Sequence, residues 1–142
     1  MTNGEDDDAI SRDEAGNLLL STVSRARATN LDASDEDLFR FSPTQLGSVT
    51  SGSFLNRFDG SDVGLGGNNN EDVTAAHYDA ATTIFLSTRG PLSANGASGG
   101  DEDVARFSGS LGSATSGSFT IWFDGSAVGL PGNWDIRGLC IR

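Results

Sequence analysis

Apolar residues along this chain fall in short clusters, not at helical spacing. Leu18-Leu19-Leu20 and Ile84-Phe85-Leu86 are continuous apolar runs, whereas Phe39/Phe41 and Phe119/Ile121/Phe123 alternate with polar residues. Alternation gives a strand one buried face, and a short continuous run gives a strand hidden on both. Turn signals such as Gly16-Asn17, Asp59-Gly60 and Asn95-Gly96 separate the clusters. Strands are therefore expected at Asp8–Arg12, Leu18–Thr22, Asp37–Ser42 and Ser53–Phe58. A second set is expected at Val73–Asp79, Ile84–Thr88, Asp103–Ser108 and Ser118–Phe123. The stretch Arg89–Gly100 reads as a long, flexible, exposed loop. The best helical candidate, Ala9–Arg27, is interrupted by Gly16-Asn17 and by a run of Ser and Thr.

The two sets of strands are copies of one unit. Asp35–Leu65 returns as Asp101–Leu130 with one residue dropped near Gln45, and 21 of 30 aligned positions are identical. The upstream parts, Glu5–Thr22 and Glu71–Thr88, match more weakly. Repeat 1 spans residues 5–70 and repeat 2 spans 71–133. The remainder, 134–142, resembles the opening of a third repeat, with Asp135 on Asp72 and Ile136 on Val73. The expected fold is all-β. It consists of two four-stranded antiparallel units, propeller-blade-like, plus the first strand of a third (Trp134–Ile141), with a two-sheet β-sandwich as the alternative. Blades of this kind stack face to face, and two of them leave sheet surfaces and edges for another copy of the chain. A homo-oligomer is the expected partner arrangement. An orphan fragment of a longer array is the other reading of the cut-off third unit.

The blocks LLLST, DEDLFRF and FDGSDVGL resemble a repeat of about 65 residues found in many copies in large, uncharacterised bacterial secreted or surface proteins. The resemblance implies β-propeller-like blades, a scaffold or binding role, an extracellular address and Ca²⁺ as a candidate ion. It supplies no catalytic residues. The second repeat departs from the pattern where Asp62 becomes Ala127 and Phe39 becomes Ala105.

Composition narrows the chemistry. The chain has 142 residues and a net charge of −11, and its basic residues are nine arginines with no lysine. That balance argues against nucleic acid and anionic membrane surfaces as partners. The opening MTNGEDDDAI has neither a basic region nor an apolar one, so no secretion signal is expected in it. One cysteine, Cys140, excludes an internal disulfide framework and is expected to pack in the last strand. The single histidine, His77, has Ser11 at the equivalent position and reads as a strand residue, not a catalytic base. No serine sits in a G-x-S-x-G elbow, and GLGG (Gly64–Gly67) lacks the setting of a phosphate loop.

Acids remain. Asp35, Asp37, Asp59, Asp62, Glu71, Asp72, Asp101, Asp103 and Asp124 recur at strand starts and FDG turns, and crowded carboxylates suit a hard cation such as Ca²⁺. The plain alternative is a solvated face and turns in which an Asp bonds its own backbone. Arg40, which has Arg106 as its equivalent, is expected to bridge to an acid of the next unit between stacked blades. Trp122 and Trp134 are candidate ligand-binding aromatics, with carbohydrate as the ligand class. A carbohydrate-active enzyme would need one unique pair of carboxylates, yet every acid cluster here is duplicated. The leading expectation is a non-enzymatic, self-associating module with a scaffold or binding role.

Overall fold

The computed structural model describes residues 6–66 and 71–142. Glu5, the first acid of the N-terminal cluster, and Gly67 lie outside the described residues. The fold is all-β, built on two four-stranded antiparallel sheets. The first repeat contributes β1 (Asp7–Arg12), β2 (Leu18–Thr22), β3 (Ala26–Ala28), β4 (Leu31–Ala33), β5 (Leu38–Gln45) and β6 (Ser51–Phe58). The second contributes β7 (Asp72–Ala80), β8 (Thr83–Arg89), β9 (Leu92–Ala94), β10 (Ala97–Gly99), β11 (Val104–Ser110) and β12 (Ser116–Phe123). Sheet order is β1-β2-β5-β6 in one unit and β7-β8-β11-β12 in the other, with β3-β4 and β9-β10 as separate two-stranded hairpins.

Those small hairpins correct the expectation of a flexible loop over Arg89–Gly100. Ala97 pairs with Ala94 and Gly99 with Leu92, and the Leu92 side chain is buried in the main core. The tip needs a left-handed residue, supplied by Gly96 (φ 90°) in one unit and by Asn30 (φ 62°) in the other. Asn is the residue besides Gly that adopts this conformation most readily.

A polar bracket holds each unit together, and it repeats. The two carboxylate oxygens of Asp37 accept the N–H of Ser34 at 2.8 Å and of Gly60 at 2.9 Å. Asp103 does the same with Gly100 and Gly125 at 2.8 and 2.9 Å. The DED block is thereby tied to the FDG turn some twenty residues on. Glycine is required in that turn: a Cβ on Gly60 or Gly125 would run into the carbonyl oxygen of Glu36 or Glu102. Ser21 and Ser87 lock the adjoining strand, donating to the carbonyls of Asp37 and Asp103 at 3.0 and 2.8 Å. Each FDGS turn then runs into one 3-10 turn, Ser61–Val63 or Ser126–Val128.

The core lies between the sheets. Leu19, Leu38, Phe58, Val63 and Leu65 of the first unit meet Ile84, Leu86, Ala105, Phe107 and Phe119 of the second. The Phe58 ring sits edge-on to Phe107 at 5.2 Å and to Phe119 at 6.3 Å, the geometry aromatic quadrupoles favour. A loop of the second unit clasps the first: Gly112 N–H donates to the Arg57 carbonyl at 2.8 Å, beside a parallel bridge from Gly112 to Phe58.

Two further expectations are corrected. Arg40 forms no bridge to the neighbouring unit; ion pairs among the described residues are Arg25–Asp32, Arg27–Asp32 and Arg137–Asp135. Its register opposite Leu19 puts it on the face turned to the second unit, where its Nε is buried without a hydrogen-bond partner. Burial raises the Asp13 carboxyl, but hydrogen bonds with Asn17, a smaller one with Ala15 and, least of all, the Arg40 charge outweigh it and hold the group below its usual range. The segment after Val128 forms no strand, and Cys140 is exposed. Only its opening follows the repeat: Ile136 N–H donates to the Asp101 carbonyl at 3.4 Å, as Val73 N–H donates to the Asp35 carbonyl at 3.1 Å.

Phe58 and Phe123 are equivalent in sequence but not in burial, so they should not be equivalent in energy. Phe58→Ala should cost about 3–5 kcal/mol in chemical denaturation and Phe123→Ala roughly 1–2 kcal/mol. Equal losses would contradict the central placement of Phe58.

Candidate functional site

Two places on the molecule concentrate unusual chemistry. The first is an acidic cavity of about 210 Å³ where the units join, lined by Ser34, Asp35, Glu36, Gly66, Glu71 and Asp72. Asp72 is 5% exposed, and its Oδ1 is sealed from solvent with no donor facing it. Burial pushes the Asp72 carboxyl up to about 7, helped by a hydrogen bond and charge repulsion from Asp8 across the seam. Burial likewise pushes Glu36 up to about 7, with Asp35 and Asp37 beside it adding to the shift. Asp37 rises as well, because burial outweighs its two backbone donors.

The candidate metal ligands do not gather at this cavity as a set. Asp35, Glu71 and Asp72 line it, but Glu71 already accepts the N–H of Gly66 at 3.0 Å and of Ser93 at 3.1 Å. Asp37 and Asp103 spend both oxygens on their brackets. Asp59 and Asp124 each accept the hydroxyl of the serine two residues on, at 2.7 Å. Asp62 accepts Thr115 N–H at 2.9 Å from the other unit. Asp101 contributes its carbonyl, to Ser87 and Ile136. Among the described residues no three His, Cys, Asp or Glu side chains are arranged to hold a metal ion. Among the described residues these donors do not converge as the six to eight oxygens of a Ca²⁺ shell, and most of them accept backbone N–H or hydroxyl groups.

The second place is an apolar groove of about 670 Å³ on the open face of the first sheet. Leu18, Leu20, Phe39, Phe41 and Phe54 form its floor, and Leu46 stands on its rim. Phe54 packs on Phe41 at 4.9 Å and edge-on to Phe39 at 5.9 Å. Leu18 and Leu20 are half-buried, whereas Ile84 and Leu86 at the matching positions of the second unit are fully buried. The continuous run Leu18-Leu19-Leu20 called for cover on both faces, which was the available signal for this groove. One face is covered by the second unit, and the other only in part, by the β3-β4 hairpin.

The two tryptophans lie apart from the groove. Trp122 stands edge-on to Phe85 at 5.2 Å on the far face of the second unit, and Trp134 is exposed beyond it. His77 is half-buried near Phe85, with ring centres 6.5 Å apart. Among the described residues no helix is long and apolar enough to cross a membrane. No protein-family model matches the chain, and neither the curated proteins nor the solved structures give a match.

Raised carboxyl values have a definite consequence for stability. Between the ordinary carboxyl value near 4 and about 7, the folded state holds protons that the unfolded state releases. Stability is therefore greatest on the acid side of this window and falls as pH rises through 7. The melting temperature should be higher at pH 5.5 than at pH 8. Asp72→Asn supplies a permanent donor to Asp8, so it should stabilise by about 1 kcal/mol at pH 8 and flatten the profile. A melting temperature that climbs from pH 5.5 to pH 8 would contradict the protonated seam.

Proposed function

We propose that this protein is a non-enzymatic β-repeat module with a scaffold role, and that it exercises that role by associating with itself through the faces of its sheets. The observation that supports this reading most strongly is the groove over Leu18, Leu20 and Phe54. The positions that line it are, in the second unit, the ones that close against the first. A surface already used once inside the chain for unit-on-unit stacking is left uncovered at one end. Continuous apolar surface of this kind marks an interaction site. Propeller-like stacking of blades, as the resemblance to bacterial repeat proteins implies, belongs to this proposal. The acids enter it as intramolecular hydrogen-bond acceptors. No catalytic role is assigned to them, since they are duplicated with the repeat and mostly committed to backbone N–H groups.

The chain's charge of −11 opposes association of like copies, and salt screens that repulsion over about 8–10 Å at physiological strength. The mass measured by light scattering should therefore exceed the 14.7 kDa of one chain and grow with protein concentration and with added salt. Phe54→Asp should hold it at one chain. A mass of one chain at every concentration and salt level would defeat the reading.

A further inference from the structure

We infer that the partner of the open groove is the far face of the second unit of another copy, so that copies join head to tail and repeat the junction that exists within each chain. This inference rests on the self-association reading and adds its geometry. Within the chain, the first unit offers a face containing Leu19, Phe58 and Val63, and the second closes on it with Ile84, Phe107 and Phe119. Each end of the chain presents the complementary half of that junction. Val63 is 0% exposed, while Val128, its counterpart on the far face of the second unit, is 67% exposed. At the other end, the loop equivalent to the clasp around Gly112 holds Leu46 at 60% exposure and Val49 at 65%.

The departures between the repeats point to the same occupant. At the internal junction the guanidinium of Arg57 lies over the Tyr78 ring, 5.5 Å from its centre, and bonds its hydroxyl at 3.2 Å. Arg57 corresponds to Trp122, and Tyr78 corresponds to Arg12. A head-to-tail junction thus brings Trp122 of one copy to Arg12 of the next, and the cation–aromatic pair is kept with its roles exchanged. A face-to-face pairing of two grooves would leave Trp122, on the far face, without a part in the contact. The clasp carries over in the same way. Asp59 N–H donates to Thr115 Oγ1 at 2.9 Å, and Asp124 and Thr50 are the matching residues. One bond is lost. Thr115 N–H donates to Asp62, but Ala127 stands where Asp62 would be, so the junction between copies is weaker than the one inside the chain.

The opening of the segment after Gly132 must yield for this contact. Ile136 occupies the Asp101 carbonyl at 3.4 Å, the acceptor that the first strand of an incoming copy would use. A heterologous contact of this type closes into a ring or extends as a filament, according to the rotation between copies.

Leu46→Asp blocks only the groove end and Val128→Asp only the far end, and both residues are exposed in the single chain. Each variant alone should sediment as one chain, and an equal mixture of the two should form a dimer and stop there, because one intact junction remains. Ala127→Asp in the otherwise native chain should tighten association about fivefold, the equivalent of one hydrogen bond. Should Val128→Asp still associate while Leu46→Asp does not, the pairing is groove to groove: the head-to-tail inference falls and self-association stands. If the native chain never exceeds one chain, both fall. If Ala127→Asp leaves association unchanged, the inferred clasp is wrong.

Discussion

A β-sheet has two faces, and one four-stranded unit of this protein can seal only one of them. That constraint governs the rest of the structure. The small hairpins β3-β4 and β9-β10 cover part of their own sheets but leave the central strands needing a neighbour. Phe58 meets that need for the first unit by entering the space between Phe107 and Phe119. Because apolar burial carries most of the folding free energy, the two units depend on their junction for stability. The second unit is sealed by this arrangement on the face that docks. The first unit is sealed on the other face, and the two ends of the stack are left unlike each other.

The acids serve this architecture more than they decorate its surface. Asp37 and Asp103 each join a strand start to a glycine turn by two backbone hydrogen bonds, and the turn in turn delivers Val63 to the junction. Glu71, through the Gly66 N–H, and Asp62, through the Thr115 N–H, tie one unit to the other. Where the acids crowd beyond the supply of N–H donors, burial and mutual repulsion raise the Asp72 and Glu36 carboxyls to about 7. A seam of such carboxyls is compact but sensitive to pH.

Much of the fold was legible in the sequence because the repeat displays each signal twice. The eight long strands fall within a few residues of where alternation and turn residues place them, and β2 (Leu18–Thr22) falls on its expected bounds. The small hairpins were not legible. Their three-residue strands carry too little periodicity, and only the Asn95-Gly96 turn marked one of them. Arg40 misled because its charge suggested a partner across the junction, while the carboxylate its charge acts on is Asp13 of its own unit. Identity of the stub with the start of a repeat suggested a strand at Trp134–Ile141, yet without the following strands to pair with, only the first backbone bond forms. As for the candidate site, recurrence of the acids was plain, but their use by backbone N–H groups depends on the turn geometry that brings Gly60 and Gly125 to them. The groove was written in Leu18-Leu19-Leu20, whose demand for two covers the sequence stated and the single chain meets on one side.

Between two near-identical units, the informative positions are the ones that differ. A residue serving only its own unit has no reason to change in step with a residue of the other repeat. Arg57 with Tyr78, and Trp122 with Arg12, exchange charge and ring across the two repeats. Such an exchange would keep an attractive pair at a second junction of the same geometry. Asp62 and Ala127 differ in the opposite sense, since one hydrogen bond is present at the internal junction and absent at the other. In the head-to-tail proposal they describe two junctions of one design and unequal strength. The stronger one folds the chain, and the weaker one would let chains assemble under the control of concentration and salt.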